Sequence, residues 1–215
     1  MVTHNRFAGG HTALVLSALL LAGCGGGSSQ TGASKSSVTP PTPEVQAAFS
    51  PSAEVIYSVV DHWAEVEKLY RFGDGAAEPC PEEGQPPMPK AYPDGLSELV
   101  KSPVIFAHPA YTSKGEVGQT ILRFKVSLPD RPTQLAFGAF LSKSPGPSDG
   151  VEFLVNVAQE EAFGELITQF SAERRLVDLS SHAGQTVTIE LITDAGKTAA
   201  ADWAMWLDPR IVTTP

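Results

Sequence analysis

Cysteine, tryptophan and clustered carboxylates are the residues of this chain best suited to chemistry, and Cys24 is the most sharply placed of them. It closes Leu21-Ala22-Gly23-Cys24 at the end of an apolar run. A thiolate is a good nucleophile toward an activated lipid donor, and the small residues before it let the peptide enter a membrane peptidase. The second cysteine, Cys80, lies in Glu78-Pro79-Cys80-Pro81-Glu82-Glu83, where acidic neighbours disfavour a thiolate. It reads as a loop thiol, with an intermolecular disulfide as the alternative.

Aromatic faces beside hydrogen-bonding groups are what a sugar site needs. Trp203 and Trp206 offer such faces, although their opposite parity in a strand also suits one core tryptophan and one packed on the second face. Trp63, His108 and Tyr111 fall in more loop-like stretches. The ligand-binding candidates are Trp63, His108, Tyr111 and Trp206. Asp149, Asp194, Asp202 and Asp208 lie near turns or strand ends, and hard oxygens suit calcium. Asp149 and Asp202 are the metal candidates, without EF-hand or nonapeptide spacing; the alternative is turn capping. No other cofactor is expected.

No catalytic residue is expected. Gly146-Pro147-Ser148-Asp149-Gly150 fits G-x-S-x-G, but a nucleophile elbow needs a strand before it and a helix after it, and here a strand follows. Glu160, Glu161 and Glu165 cluster, as do Glu82 and Glu83, yet adjacent glutamates in a strand face opposite ways and make no converging dyad. They read as solvated loops. His62, His108 and His182 have no metal-ligand spacing.

The residues around Cys24 give an address. Met1 to His11 is short and polar with Arg6 as its formal cation, and Thr12 to Ala22 is apolar. A core of roughly ten residues suits a secretory signal and is short of the about 20 that span a bilayer. The arrangement resembles bacterial lipoprotein signals, cleaved by signal peptidase II after diacylglyceryl transfer. That resemblance implies a mature chain starting at an acylated Cys24, carrying chains such as palmitate. The membrane is then a partner through the anchor. Gly25, where an aspartate would resemble an inner-membrane retention signal, points to the outer membrane or cell surface. An ordinary cleaved signal is the alternative.

Loss of Arg6 with the signal takes the formal charge from -9 to about -10. Such a balance argues against nucleic acid and against a polybasic membrane patch. Gly25 to Pro43, GGGSSQTGASKSSVTPPTP, has almost no apolar side chain to offset its ordering entropy, so a disordered tether is expected. The expected division is residues 1–23 signal peptide, 24–48 lipidated linker and 49–215 one folded domain.

In that domain the dominant period is two. Leu122 to Leu128, Leu135 to Leu141, Val151 to Val157 and Val187 to Leu191 alternate, each bounded by Gly, Pro, Asp or Ser. Such runs predict an all-β, antiparallel β-sandwich. Turns are predicted at 128–132, 142–150, 182–184 and 193–196. Residues 53–70 are expected to form two strands around an irregular loop. Val104 to Ala107, Phe163 to Phe170 and Arg174 to Leu179 are further strand candidates, followed by a tight helical turn at 180–183. Pro209 should break or edge its ladder.

The order His108-Pro109, Asp149-Gly150-Val151-Glu152-Phe153, Val177-Asp178-Leu179-Ser180, Ala183-Gly184-Gln185 and Asp202 to Ile211 resembles the novel putative carbohydrate-binding modules, jelly-roll domains of bacterial glycoside hydrolases. It covers about residues 100–212. The resemblance implies a jelly roll and an extracellular, non-catalytic binding role, with a glycan as partner. A structural or protein-interaction module of the cell envelope is the alternative.

Overall fold

The computed structural model describes residues 53–81, 87–96, 100–142, 146–168 and 173–214. The Cys24 attachment site, the 24–48 linker and the Glu82–Glu83 pair lie outside them.

The described residues form twelve strands: β1 (Val55–Ser58), β2 (Glu67–Arg71), β3 (Glu78–Pro79), β4 (Lys90–Tyr92), β5 (Val104–Phe106), β6 (Gln119–Ser127), β7 (Thr133–Leu141), β8 (Val151–Val157), β9 (Glu160–Ile167), β10 (Arg174–Asp178), β11 (Thr186–Asp194) and β12 (Ala204–Thr213). The first sheet has the order β10-β7-β12-β5-β4, with β1 also on β12; the second is β3-β2-β6-β11-β8-β9. All these pairings are antiparallel. The expected sandwich of two antiparallel sheets is thus the fold. The two expected strands of residues 53–70 are β1 and β2, joined through a 3-10 turn at Trp63–Glu65.

The alternating runs decide which side chains lie between the sheets. Leu122, Phe124 and Val126 of β6 meet Leu135, Phe137 and Ala139 of β7 in one core, with Val151, Phe153 and Val155 of β8. At its centre Trp206 packs edge-on to Phe137 and Phe153, ring centroids 5.1 and 5.0 Å away. Strand β12 is covered on both faces: Ala204 and Trp206 point into this core, whereas Met205 and Leu207 join Val104 and Phe140 in a second cluster capped by Leu96 and Val100.

Between Leu207 and Arg210 the register with β7 slips by one residue, and Asp208 takes φ 48°. This β-bulge inverts the parity of the strand, so Ile211, not Arg210, returns to the core. Pro209 sits in the bulge, where its missing N–H costs no ladder bond. The expected break is there, but in a central strand.

One prediction fails locally. Glu160, Glu161 and Glu165 are on a strand, β9, not a loop. The preceding turn is Ala158-Gln159, both at positive φ (51° and 73°), which makes a two-residue hairpin without glycine. Glu165 instead faces Arg175 of β10 in a two-pronged ion pair, both N···O distances 2.8 Å. This pair clips the edge strand of one sheet to that of the other.

Candidate functional site

Two buried threonines hold the stem of the site. Thr120 Oγ1 on β6 donates to the His108 carbonyl (2.6 Å), and Thr193 Oγ1 on β11 donates to the Ala107 carbonyl (2.7 Å). The Ala107 N–H donates in turn to Ala204 O on β12 (3.0 Å). The segment leaving β5 is thereby stapled to both sheets where it delivers His108 and Tyr111.

Tyr111 then opens a small closed loop. It bridges Val117, and Thr112 N–H donates to Glu116 O (2.8 Å). Gly118 ends the loop against β2. A Cβ there would stand 2.2 Å from the Arg71 carbonyl oxygen, so only glycine permits this approach. Across from the loop runs the turn 196–201. Asp194 accepts from Gly196 N–H (2.9 Å) and from Gln119 Nε2 (2.7 Å), and Arg71 completes the chain by donating to Gln119 Oε1.

Between loop and turn lies a cavity of about 550 Å³ walled by His108, Tyr111, Thr112, Thr198 and Trp203, with Lys197 at its rim. That volume is within the usual range of small-ligand sites. Trp203 is 42% exposed, an unusual display of apolar ring. The His108 and Tyr111 rings are 5.2 Å apart. Burial holds the His108 pKa below its ordinary value, so the ring is neutral at pH 7. Its Nδ1 lies 2.7 Å from the Pro109 carbonyl and donates to it, which leaves Nε2 as an acceptor.

Of the four expected ligand residues, the fold brings His108 and Tyr111 together. It removes the other two. Trp206 is 0% exposed, between the sheets, and Trp203 supplies the open ring instead. The parity rule separates the two tryptophans, and the fold sends Trp206 to the core and leaves Trp203 open. Trp63 is part-buried against the core, with Lys68 Nζ 4.5 Å over its ring and bonded to its carbonyl (2.7 Å). It walls no part of this cavity. Thr112, Thr198 and Lys197 carried no signal in the sequence, being ordinary loop residues until the fold gathers them.

The two metal candidates sit behind the turn. Asp149 accepts from Thr198 Oγ1 (2.7 Å), and Asp202 accepts from Ser148 Oγ, which also receives the Gly150 N–H (2.9 Å). Both therefore serve as loop fasteners. Asp202 is fully buried, its Oδ2 without a partner among the described residues, and its pKa is raised to about 6 by burial, with Asp149 adding to the rise. Among the described residues no three His, Cys, Asp or Glu side chains converge on a metal position. The Ser148 hydroxyl of the G-x-S-x-G stretch is occupied by Asp202 and precedes β8, as the sequence implied. Cys80 is half-buried, and loss of solvent pushes its thiol up to about 12 against the opposing charge of Lys68; burial, where acidic neighbours were expected, is what disfavours the thiolate.

No family model matches the chain, and no curated protein does. Solved structures with a similar trace include TmCBM61 in complex with beta-1,4-galactotriose, at 12% identity, covering 59% of this chain and 82% of that one, TM-score 0.38. The K1 cleaved adhesin domain of Lys-gingipain from Porphyromonas gingivalis W83 shares 14% identity over 76% of this chain and 97% of that one, TM-score 0.43. CBM51 from Clostridium perfringens GH95, in complex with methyl-galactose, shares 14% over 76% and 93%, TM-score 0.36. The first and third of these similar structures are carbohydrate-binding modules. The architecture of the present chain stands on its own strand pairing, which makes it an antiparallel β-sandwich.

Proposed function

We propose that the domain is a non-catalytic binding module that holds a glycan in the cavity between the 111–117 loop and the 196–201 turn, and that Cys24 moors it to the cell envelope. The exposed Trp203 ring carries this reading. A pyranose ring presents a face of C–H groups, which packs on the electron-rich face of an aromatic ring. Tyr111 adds a second ring, and Thr112, Thr198 and the neutral His108 offer donors and acceptors to hydroxyls at the sugar's edge. The titratable side chains lining the cavity are the His108 imidazole, the Tyr111 phenol and the Lys197 ammonium group. A glycosidase would need a converging pair of carboxylates there.

Titration calorimetry of the wild-type protein and Trp203→Ala against a panel of neutral glycans tests this. The variant is expected to lose binding by at least about tenfold, the equivalent of about 1.4 kcal/mol, with its circular dichroism unchanged. Wild-type protein that binds no glycan at millimolar concentration would turn the reading toward an envelope structural or protein-interaction role.

A further inference from the structure

Tyr111 and Thr112 wall not one cavity but two. On their other side is a second hollow of about 400 Å³, lined by Tyr70, Phe72, Pro79, Pro81 and Pro87. Tyr70 is held there by its hydroxyl, which donates to Glu78 Oε2 (2.7 Å), and its ring meets the edge of Phe72 at 5.6 Å. Gly118 explains why the hollows adjoin. Its missing Cβ lets the 111–117 loop press onto the Arg71 carbonyl, one residue from both rings.

We infer that the two hollows are adjoining subsites of one groove and that its ligand is an oligosaccharide chain, not a single terminal sugar, running past Tyr111 from Trp203 to Tyr70. This rests on the glycan reading above and extends it. Each hollow is larger than one pyranose ring, and each has its own aromatic surface. Trp203 serves the first; Tyr70 and Phe72 serve the second. Rings and prolines make up most of the second hollow's wall, with Thr112 and Ser113 beside them, so it contributes packing more than hydrogen bonds. A chain that fills both gains the second contact without a second loss of translational freedom, so its affinity exceeds that of a monosaccharide.

The experiment uses the full chain carrying Cys24→Ser, titrated with neutral β-linked oligosaccharides from monosaccharide through pentasaccharide. A proline-rich peptide spanning residues 38–49 of this chain serves as the competing occupant. Affinity is expected to rise about tenfold or more with length, from the contacts added in the second hollow. Tyr70→Ala and, as a second probe of the same hollow, Phe72→Ala should erase that rise while leaving monosaccharide affinity at the wild-type value. Trp203→Ala should weaken every length.

Affinity independent of length, or long-chain binding unchanged in both Tyr70→Ala and Phe72→Ala, overturns the shared groove and leaves the first site standing. Sugar confined to the Trp203 hollow with the peptide seated at Tyr70 also overturns it. Absence of any sugar binding removes the glycan reading and this inference together.

Discussion

Asp202 gives up all its solvent on folding, and among the described residues its carboxylate keeps one hydrogen-bond partner, the Ser148 hydroxyl. Burial raises its pKa from 3.8 to about 6. An acid raised in the folded state opposes folding once ionised. The penalty is absent below pH 4, grows between 4 and 6 and is complete above 6. A rise of that size corresponds to about 3 kcal/mol, at about 1.4 kcal/mol per pKa unit. Asp202→Asn removes the titration. From pH 4 to pH 8 the variant should therefore gain about 3 kcal/mol relative to wild type in urea unfolding, whatever the offset at pH 4. A difference that does not change with pH would mean that Asp202 is not strained when charged.

The two tryptophans at this end of β12 make a matched pair of tests. Trp206→Ala empties the centre of the core and should cost about 4 kcal/mol. Trp203→Ala should cost about half of that or less, because the side chain is already 42% exposed, and should act on binding instead. Equal destabilisation by both would contradict the placement. At this scale the sequence was only half readable. Ring type and parity named the candidates, but which parity faces inward depends on the cap at Leu96 and Val100 over Met205 and Leu207. That contact is remote in sequence from the strand it covers.

Among the elements, the strands were legible wherever apolar residues recur at every second position between Gly, Pro, Asp or Ser stops. β6, β7, β8 and β11 are such cases, and each runs near its predicted bounds. The β8–β9 hairpin was not legible. Its turn carries Ala158 and Gln159 where Asn-Gly would be read at once, and β9 opens on two adjacent exposed glutamates, so no two-residue period marks its start. The left-handed conformation costs an L-residue about 1–2 kcal/mol. Replacing Ala158-Gln159 with Asn-Gly should thus raise stability by about 1 kcal/mol, read as a higher urea midpoint at unchanged slope. A lower midpoint would show that the native pair makes contacts that outweigh its strain. The site loops were less legible for a related reason. Residues 111–117 and 196–201 are ordered by Thr120, Thr193 and Gln119, which come from strands of the other sheet or far along the chain.

On the reading proposed above, the whole molecule joins two physical problems, a binding face open to glycans and an anchor at a membrane. A single acyl chain holds a protein only marginally, whereas two or more give a stable anchor, so the expected lipid on Cys24 decides the partitioning. The domain's net negative charge disfavours contact with anionic headgroups. Cys24→Ser should therefore move the protein from the detergent phase to the aqueous phase in detergent phase separation, with glycan affinity in solution unchanged. Binding to an immobilised polysaccharide should fall when wild-type protein on vesicles is replaced by the free variant, because many anchored copies bind as one multivalent surface. Wild type and Cys24→Ser that partition alike would remove the anchor from this account and leave the β-sandwich and its cavity untouched.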